Sequence, residues 1–277
     1  MSSVSDRNEE RLRELQALVT EIGRRDFDER YADLKLPPVV ALICAYEEEA
    51  NIGHVLEKVP ATACDLEVRT LVVVDGGHDG TGRVSREKGA ATFALPVNLG
   101  HGVALRVGYD LCVRHGAQYV VTLDADGQND PSEMPGMLEP LLADEADFVV
   151  ASRRLGEDKT GDRYRQAGVV FFASLMRLLT GARLTDTSNG FRALRVTMLA
   201  DVLPFLQQDQ YQTAELLITC LKRGWRVVER PTVWHERISG ASKKGRNLFY
   251  GVRYARVVLG TWRREQARRR SQPSPTG

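Results

Sequence analysis

Between residues 38 and 153 the chain alternates two hydrophobic rhythms. The runs VVALICAY (39–46), VRTLVVVD (68–75), QYVVTLDAD (118–126) and ADFVVASR (146–153) are near-continuous and rich in β-branched residues, the pattern of strands buried on both faces. ATFAL reads as a shorter strand. Between these runs, EEEANIGHVLEKV, DGTGRVSREKG, GHGVALRVGYDLCVRHG and MPGMLEPLLADE have helical character. Repeated β–α alternation predicts an α/β fold, with a mostly parallel, Rossmann-like central sheet and helices on both faces. After residue 153 the alternation weakens. Residues 164–180 read as an apolar helix, TDTSNGFRAL as a polar turn, TAELLITCLKRG as a helix, and RVVERPTVWH as an extended strand whose pairing Pro231 limits. Upstream, Leu12, Leu15, Leu18 and Ile22 recur at helical spacing among charges. Residues 6–35 therefore read as a helix that Pro37-Pro38 ends.

Polar clusters fall where the strands end: 46–51, 75–81, 124–128 and 152–153. In open α/β sheets the carboxyl ends of strands build the ligand site, so these clusters predict one nucleotide-sized crevice. Composition narrows the partners. The 277 residues are 43% hydrophobic and 27% charged with net charge +1, so no overall field selects nucleic acid. The basic charge is concentrated in residues 243–270, which hold ten Lys or Arg and one Glu. The four cysteines form no C-x-x-C pair, and they read as buried free thiols of a cytoplasmic protein. The polar start MSSVSDRNEER does not read as a signal peptide. No apolar run approaches the roughly 18 residues that read as a membrane span.

Familiar nucleotide motifs fail on spacing. Leu105 stands where a third glycine would follow Gly100 and Gly102, and no G-x-x-x-x-G-K-[ST] exists. An EF-hand fails because Asn129 and Pro135 replace its glycine and glutamate. What remains is LDADGQNDP, with Asp124 and Asp126 one residue apart at a strand end. Alternate strand residues face one side. Two hard carboxylates suit Mg²⁺ or Mn²⁺ completed by substrate phosphates.

The ordered segments ALICAYEEEANI, VVVDGGHDGTG, NLGHGVALRVG, LDADGQNDP, ASRR, DTSNGFRAL and RISGASKKG resemble those of family 2 glycosyltransferases of the GT-A fold. They are most similar to the dolichyl- or polyprenyl-phosphate sugar synthases. The resemblance covers about residues 38–245. It implies an N-terminal helical extension (1–36), a GT-A catalytic domain (37–235), and an acceptor loop with a basic C-terminal helix and tail (236–277). It implies an inverting, metal-dependent enzyme that moves a sugar from a UDP- or GDP-sugar to a polyprenyl phosphate. The alternative is the same chemistry onto a soluble natural product or sugar.

By this resemblance Asp124, Asp126 and Gln128 hold the metal, and Asp124, Ala125 and Asp126 also meet the donor. Ala45, Tyr46, Glu48, Asp75, Gly76, Asn98, Gly102 and Arg153 complete the nucleotide-sugar site. Asp126, Arg192, Glu215, Arg237 and Lys243 are the catalytic set, with Arg192, Arg237 and Lys243 as anion contacts. Two positions depart from the family pattern: Gly76 replaces a second acid, and His101 stands where lysine is common. Asp79 and Thr81 read equally well as a helix cap. A phosphate acceptor needs no strong base; an alcohol would, from Glu215, Asp186 or Glu236. Expected partners are the donor and the acceptor, with no nucleic acid. Peripheral contact with the cytoplasmic membrane face, through Phe249, Val252, Val257, Leu259 and Trp262, and homodimerisation are left open.

Overall fold

The strands form where burial on both faces is written into the chain. The structure, a computed structural model, describes residues 4–239 and 248–271. β1 (Val39–Ala45) is buried at every position. β2 (Thr62–Ala63) is a two-residue antiparallel addition to β3 (Leu66–Val74). β3 and β5 (Tyr119–Asp124) flank β1 in parallel, and β4 (Ala91–Ala94) continues the parallel order outside β3. Further along come β6 (Phe148–Asp158), β7 (Arg192–Arg195) and β8 (Val227–Trp234). β7 lies antiparallel between β5 and β6, and β8 pairs in parallel with β6 alone. Edge placement fits Pro231, which has no N–H to give.

The sheet is thus α/β and largely parallel, as expected, but mixed. β7 falls inside the segment read as a polar turn. Four residues carrying two arginines lack both the length and the pattern of a buried strand. Its reversal has a positional consequence. Arg192 lies opposite Thr122 of β5 and Val150 of β6, so residues 186–191 pass the carboxyl ends of both strands.

Alternate strand residues feed two cores. Val40, Leu42, Val120, Phe148 and Val150 join one cluster; Val39, Ala41, Ile43, Val121 and Val149 join the other. This is the period of two expected of a sheet covered on both faces. The helices α2 (Glu49–Lys58), α3 (Thr81–Glu87), α4 (His101–Arg114) and α5 (Met134–Leu142) follow successive strands. α1 (Val4–Arg30) docks through Phe27, whose ring centroid is 5.7 Å from that of Phe93, and through Arg24–Asp110 at 3.0 Å. The thiols of Cys44, Cys112 and Cys220 are buried, that of Cys64 is half-buried, and all four are free.

α6 (Arg163–Thr180) begins at Asp162, whose carboxylate accepts from the N–H groups of Tyr164 and Arg165. This satisfies two of the donors that a helix start leaves open. α7 (Val196–Val202) and α8 (Gln212–Arg223) follow. α9 (Leu248–Ser271) packs on α6 and α8: the Phe172 and Tyr254 rings are 4.3 Å apart, and Trp262 Nε1 donates to the Leu179 carbonyl at 2.7 Å. Of the apolar residues expected to meet a membrane, Trp262 is turned inward and Val257 and Leu259 are half-buried; Val252 alone is exposed. The Phe249 side chain lies outside the described residues. No helix among the described residues is long and apolar enough to cross a membrane.

Candidate active site

β1, β3, β5 and β6 end along one edge, and there a cleft of about 330 Å³ opens. Tyr46, Glu48, Asp75, Asn98, Asp124, Ala125, Asp126, Gln128 and Arg237, all expected there, line it. So do five residues outside the expected set: Cys44, Gly100, His101, Arg165 and Gln210. Ala45 lies beneath it as the buried last residue of β1.

Asp124 is the last residue of β5, whereas Asp126 sits in the turn beyond, which Gly127 completes at φ 75°. Both still face one cleft. Asp126 Oδ1 accepts from the Gln128 N–H at 3.1 Å, and Oδ2 pairs with Arg237 Nη1 at 3.2 Å. The same guanidinium pairs with Glu48. Arg237 is carried by the segment after β8, which closes over this turn. The His235 N–H donates to the Gln128 carbonyl at 2.9 Å and the Ile238 N–H to that of Asp126 at 3.3 Å. Ile238 lies so close that a Cβ on residue 127 would come within 2.3 Å of it, so glycine is required there twice over. Asp130 accepts from the Ser132 N–H at 3.0 Å and starts the next helical turn. That bond and a hydroxyl contact from Ser132 outweigh partial burial and hold its carboxyl below the usual range.

The donors able to take a divalent ion are the carboxylates of Asp124 and Asp126 and the amide oxygen of Gln128, whose nitrogen donates to the His235 carbonyl at 3.2 Å. Among the described residues no three His, Cys, Asp or Glu form a metal cage. An ion here would therefore complete its shell with substrate and water, the habit of Mg²⁺. Beneath the pair, burial together with Asp75 and Asp124 pushes the Cys44 thiol up, so it stays protonated.

Asp75 ties one wall together. It accepts from the N–H groups of Leu99 at 2.8 Å and Gly100 at 3.0 Å. Burial pushes its carboxyl up, against the pull of these two bonds. Gly76 has φ 70°, and a Cβ there would meet the Val97–Asn98 backbone at 2.4 Å. The departure from the family's second acid thus has a physical cause: the neighbouring chain occupies the space a side chain would need. Gly102 differs from expectation. Its open side is filled by residues 208–209, to which its N–H donates at 2.8 Å, and a nucleotide has no room there. Asp79 accepts from the Glu49 and Thr81 N–H groups, while Thr81 Oγ1 accepts from that of Glu48. Both act as loop fasteners.

Three other expected contacts do not reach the cleft. Arg192 is 1% exposed and donates to the carbonyls of Asn189, Thr187 and Thr213. Each of its three nitrogens bonds within the 187–191 loop or to the start of α8, and the side chain is buried, so it is no anion contact. Glu215 is fully buried, accepts from the N–H groups of Gln207 and Gln208 at 2.9 Å, and pairs with Arg264 of α9. Arg153 forks onto Asp186 at 2.6 and 2.8 Å and lies over the Trp234 ring at 4.9 Å. It stands behind the cleft, and Asp186 is equally committed. Lys243 lies outside the described residues.

Sequence reasoning missed Arg165. It sits in the first turn of α6, lies over the opposite guanidinium's partner ring, Trp234, at 5.3 Å, and lines the cleft. Two arginines opening an apolar helix, Arg163 and Arg165, carry no motif, so nothing in the sequence marked the second as a cleft residue. A second hollow adjoins the cleft through Gln128, Arg165 and Arg237, and Tyr164 and Glu236 help to line it.

The profile of the family described as "Glycosyl transferase family 2" matches residues 40–203. The chain belongs to this family. It is a glycosyltransferase. A dolichyl-phosphate hexose transferase of Haloferax volcanii is 33% identical over 193 residues, covering 69% of this chain and 80% of that protein. A polyprenol monophosphomannose synthase of Mycolicibacterium smegmatis is 29% identical over 231 residues, covering 76% and 82%. Among solved structures, glucosyl-3-phosphoglycerate synthase of Mycobacterium tuberculosis, with Mn²⁺, UDP and glucosyl-3-phosphoglycerate, superposes with TM-score 0.64. It is 19% identical and covers 85% of this chain and 82% of that one. The fold of the glycosyltransferase is accordingly GT-A, as the motif order implied.

Proposed function

We propose that this glycosyltransferase moves a sugar from a nucleotide-diphosphate sugar to a polyprenyl phosphate, by in-line displacement with inversion, in the cleft at the strand ends. One observation carries the reading: the acidic turn 124–128 shares one cleft with the guanidiniums of Arg165 and of Arg237, the second paired with Asp126. That arrangement suits a donor diphosphate and an anionic acceptor side by side. The names of the relatives from Haloferax and Mycolicibacterium support the lipid-phosphate acceptor.

Asp124, Asp126 and Gln128 would hold a divalent Mg²⁺ or Mn²⁺ ion, as the Mn²⁺ in the glucosyl-3-phosphoglycerate synthase structure encourages. When bound, it would offset the charge that grows on the leaving diphosphate. The fit is electrostatic: Arg237 offsets only part of the charge of Asp124, Asp126 and Glu48, so the turn stays negative and favours a cation. Tyr46, Glu48, Asp75 and Asn98 form the nucleoside wall. Arg165 and Arg237 orient the phosphates. A phosphate acceptor brings its own anionic oxygen, so no strong base is required. The burial of Asp186 and Glu215 in ion pairs agrees with this, since neither can take a proton from a substrate in the cleft.

The test incubates the purified protein with labelled UDP- or GDP-sugar and Mn²⁺ or Mg²⁺, with and without polyprenyl phosphate. Label is expected in the organic phase, and Asp126→Ala should abolish the transfer without unfolding the protein. Transfer only to a soluble acceptor would overturn the lipid assignment. Unchanged activity in Asp126→Ala would overturn the site.

A further inference from the structure

α6 buries one side, at Val169, Ala173 and Met176, and leaves an apolar ridge on the other. Tyr164, Phe171 and Leu178 recur every seven residues and are 90%, 59% and 82% exposed, with Val170 beside them. Side chains seven apart lie on one helix face, and a ridge this apolar is unusual on a surface facing only water. The exposed charges on the two helices that flank it have one sign. Arg163 and Arg177 of α6 are exposed, and α6 contains no Asp or Glu. Neighbouring α9 carries seven arginines, Arg253 and Arg256 exposed among them, and its one acid, Glu265, is buried.

We infer that the outer face of α6 is a docking surface for an anionic lipid bilayer, with the helix lying in the headgroup plane. Amphipathic interfacial helices combine an apolar face with flanking Lys or Arg in this way. The charge argues against a second copy of the chain as the occupant: pairing two α6 ridges would bring their arginine flanks together. Position adds to the case. Tyr164 lines the hollow that adjoins the cleft through Arg165 and Arg237, so the ridge starts where an acceptor phosphate would enter. The inference deepens the proposed function and rests on it for the lipid acceptor, while the docking itself stands on the surface alone.

The test compares wild type with Phe171→Glu/Leu178→Glu, both exposed positions outside the cleft. Co-sedimentation uses vesicles of phosphatidylcholine with or without phosphatidylglycerol. Transfer is measured to a long prenyl phosphate in those vesicles and to a short, water-soluble prenyl phosphate. Wild type should bind the anionic vesicles, more weakly at high salt. The double variant should lose binding by about 10-fold or more, the scale of removing two apolar contacts and adding like charge to the membrane's. It should keep transfer to the short acceptor. Equal vesicle binding by the two proteins overturns the inference. So does sedimentation velocity that finds a lipid-free wild-type dimer and a monomeric variant, which would give the ridge to a second copy. Ridge-dependent vesicle binding by a protein that glycosylates no prenyl phosphate would uphold the docking surface while removing the proposed acceptor.

Discussion

Gly190 offers the sharpest test of how the acidic turn is held. A Cβ built on it would lie 2.9 Å from Asp124 Oδ1, 3.0 Å from Oδ2 and 3.2 Å from Cγ. Comfortable non-bonded separations are about 3.5 Å, so in Gly190→Ala the carboxylate must retreat by roughly half an ångström. The loop cannot give way instead, because Thr122 Oγ1 donates to the Gly190 carbonyl at 2.6 Å. Gly190 does not have the left-handed φ that would forbid alanine. The stability cost should thus be small, about 1 kcal/mol at the low end of overpacking, or a Tm loss of about 2–4 °C. The functional cost should be larger. Changes that misorient a metal-side ligand typically cost about 10–100-fold in metal affinity or activity. Mn²⁺ titrations of donor turnover should show an apparent affinity reduced by that factor, with Tm nearly unchanged. Wild-type metal dependence in Gly190→Ala would refute Asp124 as a metal-side group. A collapse of Tm would mean that the backbone, and not the carboxylate, absorbs the clash.

Arg153→Met should leave Asp186 buried without its partner and cost about 3–5 kcal/mol, read as a large drop in Tm. The Arg153 bonds outweigh burial and hold the Asp186 carboxyl below its usual range. Its stabilisation is therefore fully present above the unfolded carboxylate pKa of about 4 and is lost as pH falls through the lower folded value; Asp186→Asn should flatten that acid limb in pH-dependent denaturation. Arg237→Ala should lower kcat/KM by about 100-fold or more, the scale of losing one preorganised charge partner, with Tm changed little. Gly76→Asp should destabilise rather than restore a family contact, because φ 70° and the Val97–Asn98 backbone exclude a side chain; a gain in donor affinity would contradict this.

The parallel half of the sheet was legible because β1, β3 and β5 are buried on both faces, and continuous apolar runs have few other uses. β7 was not, since its four residues gain their strand character from β5 and β6 on either side. The site divides in the same way. Residues one step from a legible strand end, Glu48, Asp75, Asp124 and Asp126, do line the cleft. Gly102, Arg153 and Glu215, whose partners Asp209, Asp186 and Arg264 come from further along the chain, were misjudged, whereas Arg237 does line the cleft.

Arg192 and Arg165 make the physical reason plain. Both are arginines near polar turns, and a motif favoured the first. What separates them is whether other groups have taken the guanidinium's donors; for Arg192 these are the carbonyls of Asn189 and Thr187, which the folded loop turns onto it, and of Thr213, which the start of α8 brings up. Yet the motif was informative. Arg192 gathers the carbonyls of the loop that carries Gly190, and Gly190 is the residue whose missing side chain leaves room for Asp124. The segment DTSNGFR therefore bears on the chemistry at one remove: Asp186 anchors it through Arg153, Arg192 tightens it, and Gly190 passes that rigidity to the carboxylate. It follows that losses at Arg192 and Gly190 should differ in kind, the first in folding and the second in metal response.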